Sequence, residues 1–164
     1  MSSSIYSPDF EEKLHYIELA KKCYNENNID QASLLLQSIG DNHPPYLSVY
    51  FLKSQCAFSL GQNDKALKSV NEGFKVLESD EETTFDGLLM KIKLLLLRSR
   101  IYQALKKNES GQKDLEEAKR IIENELSKRR GHEEQIKNIE NELNEIINKT
   151  KEGNSLKVFA KFMN

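Results

Sequence analysis

Apolar residues recur along this chain at spacings of three and four, which is the period of a helix with one buried face. The clearest buried stripe consists of Leu88, Leu89, Ile92, Leu95, Leu96 and Ser99. No segment shows the alternation of apolar and polar residues that is typical of a strand. The pattern therefore predicts an all-α fold with seven or eight helices.

A repeat of 34 residues underlies the helical pattern. Residues 13–46 and 47–80 are two adjacent units, residues 92–125 are a third unit, and residues 81–91 are an insertion. Each unit predicts two helices and has small residues at its positions 8 and 20, namely Ala20 and Ala32, Ser54 and Ala66, Ser99 and Gly111. Short side chains there let two antiparallel helices approach closely. The units therefore predict helical hairpins that stack on their neighbours to bury their apolar faces.

The spacing of large and small residues in these units resembles the tetratricopeptide repeat. In the first unit the match comprises Tyr16, Leu19, Ala20, Cys23, Ala32, Leu36 and Pro44. The resemblance implies a right-handed α-α superhelix, a tetratricopeptide solenoid, over residues 13–125. Residues 1–12 are then a lead-in, and residues 126–164 supply C-terminal amphipathic helices. The resemblance also implies a concave groove that binds a partner peptide.

Local signals indicate where several helices begin and end. Ser7-Pro8-Asp9 predicts a helix start near Pro8, and His43-Pro44-Pro45 predicts a break between the first two units. Ser79 and Glu82 form a capping-box pattern, so the insertion is expected to lengthen the first helix of the third unit to about 81–106. Asn108-Glu109-Ser110 predicts the turn inside that unit.

The C-terminal region predicts two helices with a break between them. A helix end at Lys128-Arg129-Arg130-Gly131 precedes an amphipathic helix expected over 132–150. Lys151-Glu152-Gly153-Asn154 predicts a break, and residues 155–164 predict a short helix with one apolar stripe. Three surfaces are available to cover that stripe: the preceding helix, a groove of this molecule or a neighbour, and an external partner. Self-association through residues 155–164 is one of these outcomes.

The end of the chain is similar to the end of immunophilin-type cochaperones. The similarity lies in residues 97–105, in residues 114–118, in the long charged seventh helix and in the closing segment 158–163. Repeats of that type bind the acidic C-terminal tails of heat-shock chaperones. The resemblance therefore implies a heat-shock chaperone as one candidate partner.

The chaperone contact of that family is a clamp of Lys, Asn and Arg side chains on a terminal carboxylate. At its positions this chain has Ile17, Lys21, Leu52, Lys93 and Leu97, of which only Lys93 matches. The three apolar residues cannot donate hydrogen bonds to a carboxylate. A cochaperone with a degenerate clamp is therefore the alternative interpretation, and a stand-alone tetratricopeptide adaptor is the first.

The repeat register also predicts which residues face a partner in the concave groove. The candidate partner-binding residues are Lys21, Phe51, Leu52, Gln55, Lys93, Leu97 and Arg100, and Gln103 falls on the same face. An apolar floor with basic and amide edges suits a partner segment of mixed apolar and acidic character. Apolar residues at such positions are also often part of helix packing. A structural subunit of a larger assembly is a third interpretation that the residues do not separate from the adaptor.

Composition and charge narrow the classes of partner. The chain has 24 basic and 26 acidic residues, for a net charge of −2, so a nucleic-acid partner is not expected. The longest apolar run, Leu94 to Leu97, is far too short to span a membrane. Residues 1–6 lack the features of a secretory signal, and Cys23 and Cys56 lack metal-site spacing, so a reducing cytoplasmic location is expected.

Candidate catalytic chemistry is sparse. His15, His43 and His132 have no carboxylate or cysteine at a metal-binding spacing, and the two cysteines fall at or beside core positions. No phosphate-binding glycine loop, nucleophile elbow or zinc-protease motif is present. The sequence therefore predicts a non-enzymatic protein with no cofactor and no metal.

Overall fold

The structure is a computed structural model of the 164-residue chain. It describes residues 8–40, 46–78 and 84–163, with side chains for 11–40, 46–78 and 84–151. These residues form helices and no strand, so the all-α prediction is confirmed. The helices are α1 (Pro8–Asn25), α2 (Ile29–Ile39), α3 (Leu47–Ser59), α4 (Asn63–Glu78), α5 (Phe85–Ala104), α6 (Asn108–Ile121), a π-helical turn (Ile122–Leu126) and α7 (Glu133–Met163).

The chain divides into two compact units, of which the first contains α1 to α4. In this unit α1 pairs with α2 and α3 pairs with α4, and α3 also packs against both α1 and α2. Its core is built from all of the first three helices: Ile17, Ala20, Ala32, Leu36, Ile39, Val49, Leu52 and Cys56. Two helical hairpins therefore stack on each other around one apolar cluster, as the repeat pattern predicts for neighbouring units.

The second unit contains α5, α6, the π-helical turn and α7. Helix α5 pairs with α6, and α7 packs against both of them. The buried side chains include Ile92, Leu94, Leu96, Ile101, Leu115, Ile121 and Leu126, and α7 adds Ile136, Ile139, Leu143 and Ile146. The apolar spacing that predicts an amphipathic C-terminal helix thus corresponds to the face of α7 that is buried.

The three hairpins share one turn geometry. The backbone has a positive φ at Asn27 (63°), Gly61 (75°) and Lys106 (61°), each between the two helices of a hairpin. In each case the N–H of the next residue donates to the carbonyl five positions earlier: Asn28 to Cys23 at 2.8 Å, Gln62 to Ala57 at 2.8 Å and Lys107 to Tyr102 at 2.7 Å. This is the bond of a Schellman helix end. Each of the three positive-φ residues is position 15 of its predicted unit.

Small residues lie where the helices of each hairpin cross. Ala20, Ala32, Ser54, Ala66 and Ser99 are fully buried. The Ser54 hydroxyl donates to the carbonyl of Ala66 at 2.8 Å, which joins α3 to α4 directly. A Cβ atom on Gly111 would stand 3.2 Å from the Ser99 carbonyl oxygen, so α6 and α5 approach as closely as a glycine allows. The close approach expected in the second and third hairpins is therefore observed.

Helix boundaries agree with the sequence prediction at α1, which begins at Pro8, and differ at α5. Helix α5 starts at Phe85 instead of near 81, because the Thr84 hydroxyl caps it by accepting the N–H of Gly87 at 3.0 Å. It ends at Ala104 instead of 106. The predictions that involve Ser7, residues 43–45 and residues 79–82 fall outside the described residues.

The turn predicted at residues 108–110 is wrong. The chain reverses at residues 105–107, and residues 108–110 form the first turn of α6. The left-handed Lys106 and the bond from Lys107 to Tyr102 end α5 before these polar residues are reached. Polar residues such as Asn108 suit a helix start as well as a turn, since both leave backbone groups that a polar side chain can satisfy.

The predicted break at residues 151–154 is also wrong. Helix α7 runs without interruption from Glu133 to Met163, so the C-terminal region is one helix of 31 residues instead of two. Gly153 costs a helix interior about 1 kcal/mol relative to alanine, which weakens a helix without ending it. The break predicted before α7 does occur, since Gly131 has a φ of 90°.

Candidate partner-binding surfaces

In the first unit the candidate residues lie on α1 and α3, which pack against each other. Lys21 is exposed on α1, and Phe51 and Gln55 are half-buried on α3. Leu52 is only 6% exposed and belongs to the same core cluster as Ile17. Leu52 therefore stabilises the unit from inside and is not accessible to a partner, whereas Lys21, Phe51 and Gln55 are.

In the second unit the candidate residues lie on α5. Lys93 is half-buried, and Leu97 is only 6% exposed. The Arg100 guanidinium forms an ion pair with Glu142 of α7 at 3.7 Å, with both side chains 39% exposed. Of these three residues, Lys93 alone has a partly exposed side chain with no ion pair among the described residues.

Helix α7 follows the face of α5 on which Arg100 lies. The ring of Phe85, at the start of α5, stacks on the His132 ring with centroids 3.7 Å apart. The Gln103 amide, near the end of α5, donates to the Thr150 hydroxyl at 2.6 Å. Because the contacts come in the same order along both helices, α5 and α7 run roughly parallel. The face of α5 expected to receive a partner is therefore partly occupied by the chain's own last helix.

A partly buried ion pair joins α5 to α6, and the repeat pattern does not predict it. Arg98 donates two hydrogen bonds to Asp114, from Nε at 2.8 Å and from an Nη at 2.7 Å. Burial lowers the pKa of Arg98, but the hydrogen bond and the negative charge of Asp114 outweigh it and raise that pKa overall. The available signal is Arg98 itself, a charged residue that directly follows the apolar run Leu94 to Leu97.

A pocket of about 270 Å³ opens in the first unit between α2, α3 and α4. Its lining includes Lys53, Lys65 and Lys68 around an apolar base that contains Leu36 and Cys56. None of these residues belongs to the candidate partner-binding set. Sequence reasoning missed this pocket, because the positions come from three helices and share no motif.

The histidine and cysteine side chains are candidates for metal binding or nucleophilic chemistry. The described residues contain no group of three or more His, Cys, Asp or Glu side chains that could hold a metal ion. Burial raises the pKa of the Cys56 thiol to about 11, so the thiol stays protonated and is a poor nucleophile at neutral pH. His132 is engaged in the ring stack with Phe85. These side chains serve packing in the structure.

Comparison of the chain with protein-family models, with curated proteins and with solved structures found no match. Within the part of the chain that the structure describes, no helix combines the length and the apolar character needed to cross a membrane.

Proposed function

We propose that this chain is a non-enzymatic protein-interaction module of the tetratricopeptide type, an adaptor that binds a segment of a partner protein. The observation that carries the proposal is the recurrence of one turn at the same repeat position in three hairpins. Asn27, Gly61 and Lys106 all have a positive φ and are followed by the same backbone hydrogen bond. A shared turn at repeat spacing supports a repeat array, and arrays of this kind stack into right-handed superhelices with a binding face.

The proposed contact surface comprises the accessible members of the candidate set. Lys21, Phe51 and Gln55 form it in the first unit, and Lys93 is a separate accessible candidate of the second unit. Leu52 and Leu97 are left out because they are buried, and Arg100 is already paired with Glu142. A cation on α1 and an aromatic ring and an amide on α3 suit a partner segment with apolar and acidic side chains. We place this activity in the cytoplasm, which the two free cysteines support.

Binding of heat-shock chaperone tails is the weaker candidate. A carboxylate clamp needs several hydrogen-bond donors that converge on one group. The clamp positions here include the buried leucines Leu52 and Leu97, which supply none. A structural role in a larger assembly would use the same surface as the adaptor, so we treat it as one outcome of the experiment below.

The test is capture of partners from a lysate by the full chain, followed by mass spectrometry and by a binding curve with the partner that is identified. We expect Lys21→Glu combined with Gln55→Ala to weaken that binding at least tenfold, because both side chains are exposed or half-exposed contacts. Lys22→Glu combined with Gln112→Ala is the matched control, since both residues are exposed outside the proposed surface. Circular dichroism should show equal helicity in both variants.

Two results would contradict the proposal. The first is unchanged binding in the Lys21 and Gln55 variant, which would exclude this surface. The second is displacement of the partner by an acidic chaperone-tail peptide together with capture of the chaperone itself, which would favour the cochaperone alternative. A captured partner that remains in a stoichiometric complex through gel filtration would instead indicate a subunit of an assembly.

A further inference from the structure

The pocket of the first unit is formed by three consecutive helices. Helix α3 supplies Cys56 and Ala57, helix α2 supplies Ser33 and Gln37, and helix α4 supplies Lys65, Lys68, Ser69 and Glu72. The volume, about 270 Å³, lies just below the range of 300–1,000 Å³ that is common for small-molecule sites. The pocket is therefore large enough for a small ligand of one ring or a short acyl chain.

The base of the pocket is apolar and uncharged. Leu36, Cys56 and Ala57 are buried, and the first two belong to the core cluster of the unit. Burial keeps the Cys56 thiol protonated at physiological pH, since its pKa is raised to about 11. A ligand group that reaches this base meets hydrocarbon and a neutral thiol, so the base favours an apolar group.

The rim of the pocket is positively charged. Lys53 comes from α3, and Lys65 and Lys68 come from one face of α4, while Glu72 is the one acidic residue among the described residues that line the pocket. Lys53 donates to the carbonyl of Gly40 at 3.3 Å, which holds its ammonium group at the rim. Lys65 and Lys68 form no ion pair with any described residue and are exposed.

Neutral hydrogen-bond donors accompany the lysines. The lining includes the hydroxyl side chains Ser33 and Ser69 and the amide side chains Gln37 and Gln62, which come from α2, from the turn before α4 and from α4. Lysine ammonium groups beside a low-dielectric wall attract an anion more strongly than the same charges on an open surface. The lining thus combines a cationic rim that suits a phosphate or carboxylate with a base that suits an apolar body.

We propose that this pocket binds a small amphipathic anion, a phosphate or carboxylate group carried on a single apolar ring or a short acyl chain. The acidic group lies between Lys65 and Lys68, and the apolar body faces Ala57 and Cys56. The proposal uses residues outside the partner-binding surface. It therefore stands or falls independently of the adaptor function.

The experiment is a titration of the full chain with phenyl phosphate at low salt, followed by two-dimensional amide NMR. We expect saturable shifts that centre on the amides of residues 62–72 and 33–37. Inorganic phosphate should bind at least tenfold more weakly because it leaves the apolar base unfilled, and phenol should bind at least tenfold more weakly because it carries no anion.

Variants test the role of the lysines. Lys65→Ala with Lys68→Ala should weaken phenyl phosphate binding at least tenfold. Lys22→Ala with Lys75→Ala removes the same charge from positions that do not line the pocket, and it should leave affinity within twofold. Slow reaction of the buried Cys56 with a thiol reagent shows that each variant remains folded.

The proposal is overturned if both double variants bind equally well, or if the shifts spread over all lysine-bearing surfaces without saturation. A second ligand, N-acetyl-phosphotyrosine amide, identifies the source of the anion. Saturable binding of it at residues 62–72 supports a phosphorylated side chain of a protein, whereas binding of phenyl phosphate alone supports a free small molecule.

Discussion

At the scale of single residues, the three hairpin turns show which backbone features a sequence reveals. Gly61 could be predicted as a helix end, because glycine is the residue that adopts a positive φ at no steric cost. Lys106 adopts the same conformation, with a φ of 61°, although lysine as a residue type does not indicate a positive φ. The turn that the sequence predicts for the third unit therefore lies three residues after the observed one. The side chains alone do not predict the position of this turn, because the hydrogen bonds of the Schellman helix end are made by the backbone.

Replacement of Lys106 by glycine is expected to stabilise the protein. The left-handed conformation costs a residue with a Cβ roughly 1–2 kcal/mol, and the greater freedom of glycine in the unfolded chain returns part of that. We expect Lys106→Gly to raise the free energy of unfolding by about 0.5–1 kcal/mol, measured by urea denaturation.

The neighbouring position and the second hairpin provide controls for that substitution. Lys107 has a φ of −98°, so Lys107→Gly should only add flexibility and lower stability by about 0.5–1 kcal/mol. Gly61→Ala should lower it by about 1 kcal/mol, because an alanine Cβ would be strained at a φ of 75°. Lower stability in Lys106→Gly would contradict the assigned turn.

At the scale of helices, the positions of close approach could be predicted and the accessible faces could not. Small residues at positions 8 and 20 are needed because two helices that follow each other in the sequence cross there. This steric requirement involves only one hairpin, so it can be recognised within one repeat. The repeat register predicts that Leu52 and Leu97 face a partner, yet both are buried. Their exposure depends on how deeply neighbouring helices pack. An apolar side chain at these positions is compatible both with burial in the core and with contact to a partner.

The crossing of α5 and α6 predicts the effect of Gly111→Ala. A Cβ there would stand 3.2 Å from the Ser99 carbonyl oxygen and 3.5 Å from the Tyr102 Cβ, and both atoms are fixed in α5. Overpacking of this kind costs about 1–3 kcal/mol, which exceeds the helix-propensity gain of about 1 kcal/mol. We expect a net loss of about 1 kcal/mol in thermal or urea unfolding.

A size series makes the prediction for Gly111 specific. Gly111→Val should lose more stability than Gly111→Ala, because the branched side chain meets the same backbone of α5. Gln112→Ala, at an exposed position of the same helix, should change stability by less than about 0.5 kcal/mol. A Gly111→Ala protein more stable than the parent would show that the two helices separate easily.

At the scale of the whole molecule, the sequence predicts one array of repeats that unfolds as a single unit. The structure divides the chain into two compact units, each with its own buried core. Periodicity in a sequence indicates which segments resemble each other and not how strongly successive repeats are coupled. The single cooperative transition therefore stays a prediction, which calorimetry can check.

The length of α7 is the other feature that the sequence did not predict. Its 31 residues extend for about 46 Å, whereas the 20 residues of α5 extend for about 30 Å. The Gln103 amide, one residue from the end of α5, bonds to Thr150. Residues 151–163 therefore continue α7 beyond the C-terminal end of α5.

We expect the chain to self-associate through residues 155–164, which end this extension. In the sequence, positions 156, 159, 160 and 163 are apolar and recur at the spacing of one helix face. A helix end with one apolar stripe is expected to bury that stripe against a second surface. We expect sedimentation equilibrium to show a concentration-dependent mass for the full chain and a monomer after deletion of 155–164.

Lys157→Ser with Lys161→Ser should keep the association, since it leaves the apolar positions intact, whereas Leu156→Ser with Phe159→Ser should abolish it. A monomeric full chain at every concentration would mean that this end of α7 needs no second copy.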